Sequence, residues 1–327
     1  MPSPSRSASP PPALDPAPPI ELRAQGDFVD WLAAGGTLAV TTYNSGKLAF
    51  FSAAAGRLSA SYWRFPRPMG LAVSEGRLSM ATRDHVWTIT LAPEPVVESV
   101  RYTGRLDAHD LAVDRRGLLF ASTRFNCVAR PSERVNFKRH WQPPFIGEVQ
   151  AVDCCHLNGI GVKNGRLAMA TAFCASAEPA AWRRGDRFSS GVLLDVRRNH
   201  LAARGLCTPH SPRWHAGRWW LCNSGEGALG VLDSSRETCE PVAYLPGFTR
   251  GLCFAAGRAV VGLSRIRKRH ILDAPPVRAR FPRLRGGVAL VDPTSGSETG
   301  SLEFVQGGRE VYDTAFLPSV NHESQSG

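Results

Sequence analysis

The stretch HDLAVDRRGLLFAST, residues 109–123, contains a polar pair, an apolar triplet, a turn with glycine and then an alternating strand. The phrase recurs as MGLAVSEGRLSMAT (69–82), NGIGVKNGRLAMAT (158–171), HSPRWHAGRWWLCNS (210–224) and RGLCFAAGRAVVGLS (250–264), almost without gaps. Further strand-like stretches follow each copy, such as ALGVLDSSR and then PVAYLP after the fourth. Copies that begin at 69, 109, 158, 210 and 250 imply a unit of about forty residues with insertions, the length of a four-stranded propeller blade. Helical solenoids of similar period need apolar residues at i, i+3, i+4 and i+7, whereas these segments alternate and carry glycine turns.

A further blade is predicted at the N-terminus, where TLAVTTY, KLAFFSA and RLSASYWRF supply three strands without an innermost one. The missing strand is VYDTAFLP, residues 311–318, which has the inner-strand pattern and no blade after it. The expected architecture is an all-β, six-bladed β-propeller over 25–318, with four antiparallel strands per blade and the first blade closed by the C-terminal strand. Residues 1–24 read as a disordered Pro/Ser-rich tail, and 319–327 as a second disordered tail.

Composition agrees with one large β domain. The chain has 327 residues, 43% of them hydrophobic and 20% charged, far from the corner where chains stay unfolded. No run of 18 apolar residues and no signal-peptide pattern occurs, so a soluble, cytoplasmic protein is expected. Eight cysteines without a CxxC pair suggest neither a disulfide framework nor a zinc ribbon, and the adjacent Cys154 and Cys155 read as buried thiols. The formal net charge is +11, which invites a nucleic-acid reading. The charge is clustered, however. Residues 265–286 hold eight Lys or Arg against one acid, Asp273, so most of the excess lies in one predicted loop beside the channel mouth. That shifts the expected partner from nucleic acid towards an acidic ligand, or a protein partner docking through this loop.

In a propeller the first residues of each inner strand and the ends of the second strands converge on one mouth. Alignment puts Met69, His109, Asn158, His210, Arg250 and Tyr312 at equivalent positions around it. Asp110, Ser211 and Asp313 come next to them, while His156 and Glu310 lie two residues ahead of Asn158 and Tyr312. Second-strand ends add Tyr43, Arg83, Arg124, Asn126, Asn223, Ser224, Ser264, Arg265 and Arg267. The connections 174–190 and 265–286 fall on the same face and read as lids.

The phrases HDLAVD, STRFNC, CHLNG, PHSPRW, NSGEG, LPGFTRGL and GLSRIR resemble those of an uncharacterised, mostly bacterial family of predicted β-propeller proteins, over nearly the whole chain past residue 25. More distantly, CHLNGIGV resembles the Asn-Gly strand start of the six-bladed calcium propellers, the gluconolactonase/senescence-marker group with paraoxonases and strictosidine synthases. That resemblance implies a metal held in the channel by carboxylate and Asn oxygens. Asn158 matches one Asn ligand, His109 and His210 stand where the family has Asn and Asp, and Glu310 or Asp313 would replace its Glu. Imidazoles with a carboxylate suit zinc, iron, copper or manganese better than calcium.

Two classes of function follow. In one, a divalent metal on some of His109, His156, Asn158, His210 and Glu310 polarises a substrate oxygen or activates water, with His109, Asp110 and His210 in catalytic roles. The substrate, a small anionic molecule or acidic peptide, would meet Tyr43, Arg83, Arg124, Asn126, Ser211, Asn223, Arg250, Ser264, Arg267, Tyr312 and Asp313, giving a hydrolase- or lactonase-like enzyme. In the other, the propeller is a non-catalytic interaction scaffold and the histidines hydrogen-bond their own blades. GEGALG (225–230) matches GxGxxG literally, but a strand follows it, so a hairpin turn is expected. Ser211 and Ser224 sit in no nucleophile elbow.

Overall fold

Glycine turns set the hairpins from which the blades are built. Glu75-Gly76, Asn164-Gly165, Ala216-Gly217 and Ala256-Gly257 all take positive φ at both positions, the backbone of the two-residue turn that matches strand twist. The computed structural model describes residues 14–91, 95–266 and 276–318. They form six antiparallel sheets whose innermost strands ring a channel. In blade order these strands are Asp313–Pro318, Leu71–Ser74, Ala108–Asp114, Leu157–Lys163, Pro209–His215 and Phe248–Ala255.

Both termini cross the seam between blades 6 and 1. Asp313–Pro318 pairs with Gly36–Thr42 as the inner strand of blade 1, as the sequence predicts. At the other end Glu21–Gly26 pairs with Glu298–Gln306, a fifth and outermost strand of blade 6. Its residues 21–24 overlap the stretch read as a disordered tail, which there is strand instead; residues 1–13 and 319–327 lie outside the described part. Between these strands the helix Phe28–Gly35 buries Phe28, Trp31 and Leu32 against Phe51 and Phe304. Among the described residues no helix is long and apolar enough to cross a membrane.

The core is divided by the blades. Six apolar clusters are found, one at each blade-to-blade interface, for example Leu119 and Val128 of blade 3 against Leu157, Ile160 and Ala170 of blade 4. Each large side chain buried there contributes about 1.5–3 kcal/mol.

A second, polar set of contacts runs around the channel with alternating character. Asp110 of blade 3 accepts the Ile160 N–H of blade 4 (2.9 Å), Asp313 of blade 1 accepts that of Leu71 in blade 2 (2.8 Å), and Ser211 of blade 5 accepts that of Gly251 in blade 6 (3.1 Å). Blades 2, 4 and 6 carry Gly70, Gly159 and Gly251 at this level. A Cβ there would come within 2.7 Å of Asp110 Cα, Pro212 Cδ and Asp313 Cα respectively. The alternation Gly, Asp, Gly, Ser, Gly, Asp is therefore a packing requirement: one blade yields space and the next sends a strut across.

Candidate functional site at the channel mouth

The αL turn entering each inner strand positions the histidines. Arg67, Asp107, His156 and Thr208 occupy the same place in blades 2 to 5, two residues before Met69, His109, Asn158 and His210, and all have φ near +50°. Such a conformation is uncommon for non-glycine residues. In blades 3 and 5 it turns a carbonyl back onto the histidine. His109 Nδ1 donates to Asp107 O (2.8 Å) and lies 2.8 Å from Thr123 Oγ1, which itself donates to Leu157 O. His210 Nδ1 donates to Thr208 O (3.0 Å) beside Ser224 Oγ (2.8 Å). A carbonyl only accepts, so the proton sits on Nδ1 in both rings and Nε2 carries a free lone pair.

Both rings are neutral. Burial holds His109 well below the ordinary imidazole range, helped by His156 and Arg250. His210 is lowered in the same way by burial, then by Arg250, His109 and His156.

Several of the residues singled out in the sequence come together here. His156 lies edge-on to His109 (4.9 Å between centroids) and is anchored to Asp153 Oδ2 (2.7 Å). Tyr312 is 5.7 Å from His109 and stacks on Tyr43 at 5.4 Å. The Arg250 guanidinium sits 3.3 Å from the Tyr312 ring centroid. Among the described residues, three polar atoms on this ring are buried without a well-formed hydrogen bond, Asn158 Nδ2, Arg250 Nη2 and Tyr312 Oη, although the last two groups lie close enough to interact. Burial also pushes the Tyr312 hydroxyl far above its usual range, so it remains a neutral donor.

Other candidates are engaged elsewhere. Asp110 and Asp313 face the channel one layer below the mouth, and Ser211 is the third strut. Asn126 holds the loop at 152–155 through Val152 O and the N–H groups of Cys154 and Cys155. Asn223 accepts from Cys207 N, and Ser264 bridges both backbone groups of Val311. Arg83 is half-exposed and paired with Asp84, while Arg124 makes no ion pair among the described residues. Glu310 hydrogen-bonds Asn44. Arg267 lies outside the described residues.

The residues do not fit the metal site that the calcium-propeller resemblance implies. Among the described residues no group of three or more His, Cys, Asp or Glu side chains is gathered to hold an ion. Asn158 Oδ1 accepts from Thr171 Oγ1, leaving its donor end unpaired. The guanidinium of Arg250, close enough to depress both histidines, opposes a dication as well.

The two expected lids behave differently. The 174–190 connection forms a short 3-10 turn, Ala181–Arg183, that sets Trp182 4.1 Å from His156. In the 265–286 segment the described arginines are largely spent: Arg265 and Arg283 on Glu303, Arg280 on Glu226, and Arg285 on Glu298. Arg278 bonds Ile266 O. This part of the segment is a network of ion pairs rather than an open cationic surface. The GEGALG stretch is a tight turn with Gly227 at φ +67°, followed by the strand Ala228–Asp233.

Sequence reasoning missed Arg213, which closes the channel below the mouth. It makes a bidentate pair with Asp110 (2.9 and 3.0 Å) and donates to Ile160 O, Pro212 O and Leu252 O. Its column in the blade alignment reads Ala72, Ala112, Gly161, Arg213, Cys253, Ala315. Five small residues around one arginine was the available signal. Phe173 and Phe248, which flank His210 at 5.3 and 5.6 Å, were also missed. Phe248 stands in the same column as His156 and Glu310.

The family model for a domain of unknown function, DUF4915, matches residues 26–325. The chain belongs to the DUF4915 family. No curated protein matches it. Among solved structures this DUF4915 propeller is similar to a chain of the nidogen/laminin complex, at 10% identity and TM-score 0.56 over 85% of this chain and 97% of that one. A Bacteroides caccae protein of unknown function gives 9% identity and TM-score 0.54, covering 86% and 98%. A Thermus thermophilus protein, provisionally called an oxidoreductase (glucose dehydrogenase), gives 14% identity and TM-score 0.50, covering 86% and 100%. At these identities the likeness of the DUF4915 chain to them is one of fold alone.

Proposed function

We propose that the mouth ringed by His109, Asn158, His210, Arg250 and Tyr312 binds a small oxyanion, a carboxylate or phosphate that also carries a hydroxyl. The observation that carries this reading is the set of unpaired buried donors, Asn158 Nδ2, Arg250 Nη2 and Tyr312 Oη. Each buried polar group left unpaired costs about 1–3 kcal/mol, and an oxyanion would satisfy all three at once. The Nε2 lone pairs of His109 and His210 would accept from the hydroxyl, and Phe173, Phe248 and Trp182 would shield the complex from water.

Catalysis is the finer form of the same reading. A neutral imidazole whose Nδ1–H is fixed on a carbonyl is disposed to take a proton from a bound hydroxyl or water, as a lactonase-like hydrolysis requires. A metal-assisted version has less support, because the carboxylates expected to complete the ligand set are engaged elsewhere.

Calorimetric titration with a panel of hydroxycarboxylates and sugar phosphates tests the proposal. At least one should bind with 1:1 stoichiometry to the wild type and lose most of its affinity in Arg250→Met. Absence of binding by every member at about 10 mM, well above a weak Kd of about 1 mM, would overturn it.

A further inference from the structure

At the far end of the inner strands, away from the histidines, blades 4 and 5 part to leave a cavity of about 570 Å³. Its floor is apolar, made by Ala168 and Met169 of blade 4 with Trp219 and Leu232 of blade 5. Trp214 and Trp219 meet edge to face at 5.4 Å and form one corner. Around the rim stand Lys163, Arg197, Arg198 and Arg218.

Charge at this rim is unbalanced. The one acid in the lining, Asp195, accepts the backbone N–H groups of Arg197 and Arg198 through Oδ1 and faces Arg198 Nη1 at 3.6 Å through Oδ2. Among the described residues Lys163, Arg197 and Arg218 have no carboxylate partner; Lys163 Nζ instead rests 3.4 Å from the Trp214 ring centroid. This contrasts with the 265–286 segment, where four of the five described arginines find glutamates.

We propose that this inter-blade cavity is a second binding site, for a small molecule that carries an anionic group on a flat apolar body. A volume of this size is that of a small-ligand pocket rather than of a flat protein interface. The aromatic corner and Met169 accept the body, and the three unpaired cations take the anionic group by charge-assisted hydrogen bonds. The site is independent of the channel mouth. The Arg213–Asp110 pair lies between the mouth and this end of the channel, and the two sites share no residue.

The probe is 2-naphthyl phosphate, with inorganic phosphate and 2-naphthol as controls for head and body alone, measured by calorimetry on the full chain. The expected result is a binding event that Arg250→Met does not remove, at least about tenfold tighter for 2-naphthyl phosphate than for either control at the same site. Because Arg197 and Arg218 are exposed, the variant Arg197→Ser/Arg218→Ser keeps the fold; it should weaken binding by at least about tenfold while Arg250→Met leaves it unchanged. Three outcomes overturn the proposal: no saturable binding, binding untouched by the double substitution, or binding abolished by Arg250→Met, which would assign the probe to the mouth. A mouth that binds nothing leaves these outcomes as informative as before, so the two proposals fail separately.

Discussion

Replacing Arg213 by methionine should destabilise the propeller more than any other single change to a charged residue of the channel. The guanidinium joins blade 5 to Asp110 in blade 3, Ile160 O in blade 4 and Leu252 O in blade 6, and approaches Asp313 of blade 1 at 3.9 Å. Methionine keeps the apolar stem and removes all of these bonds. Asp110, 3% exposed, is then left with the Ile160 N–H and no counter-charge, while a second buried carboxylate lies nearby. Breaking a buried pair in this way costs about 3–5 kcal/mol. With an unfolding entropy of about 2.1 cal/mol/K per residue over roughly 300 residues, that lowers Tm by about 5–8 °C. Urea unfolding followed by tryptophan fluorescence and far-UV circular dichroism measures the loss. The diagnostic step is the double variant Asp110→Asn/Arg213→Met, which removes the stranded charge and should recover at least about half of the loss. If Arg213→Met costs under about 1 kcal/mol, or if Asp110→Asn fails to rescue it, the pair is not the tie between blades that its geometry implies.

Acid sensitivity should follow from the neutral histidines. His109 and His210 are depressed in the folded protein but take protons near pH 6.5 when unfolded, so below that pH the unfolded state binds more protons and stability falls by about 1.4 kcal/mol per pH unit for each. Urea midpoints between pH 7.5 and 5.5 should therefore drop less steeply in His109→Gln/His210→Gln; equal slopes would contradict the assignment. The Tyr312→Phe variant removes an unpaired donor and should leave ligand-free stability within about 1 kcal/mol of wild type while weakening oxyanion binding, whereas Asn158→Ala also strands the buried Thr171 hydroxyl and should cost about 1–3 kcal/mol besides weakening binding. Loss of stability without loss of binding would reverse their roles. Protein incubated with zinc or manganese and then gel-filtered should retain well under one equivalent by elemental analysis. A stoichiometric metal that disappears in His109→Ala/His210→Ala would replace the oxyanion reading with a metal centre.

The blades were legible because their signals are local. Glu75-Gly76 or Asn164-Gly165 before an alternating strand specifies a hairpin without reference to the rest of the chain. Ring closure by 311–318 was legible for a related reason, since an inner-strand pattern with no blade after it has one vacancy to fill. The fifth strand Glu21–Gly26 was hidden because five of its six residues are exposed, so it has no apolar alternation to read. At the site, alignment identified which residues share the mouth but not the direction of their side chains. His109 and Asp110 are neighbours, yet consecutive strand residues point to different places: one ring faces the mouth and the other side chain struts the channel. Likewise the cluster of positive charge in 265–286 was visible, whereas its partners lie outside it, Glu226 in blade 5 and Glu298 and Glu303 on the outer strand Glu298–Gln306 of blade 6.

The strut layer also accounts for the closing of the channel below the mouth. Blades 2, 4 and 6 give up side chains at this level, so only blades 1, 3 and 5 can furnish struts, and two of those, Asp110 and Asp313, are acids. Two buried carboxylates facing each other need a cation between them. Arg213 supplies it, and the small residues of its column, from Ala72 to Ala315, leave the space in which its head lies. Even so the balance is incomplete. Burial and the neighbouring Asp110 hold Asp313 above the ordinary carboxylate range, so this layer approaches neutrality by keeping a proton. A near-neutral floor leaves the Arg250 charge uncancelled at the ring above it, where the histidines are neutral too. The same alternation that lets six blades close around one axis thus sets where the channel is closed and leaves the Arg250 guanidinium on the ring above it, in keeping with the oxyanion proposed there.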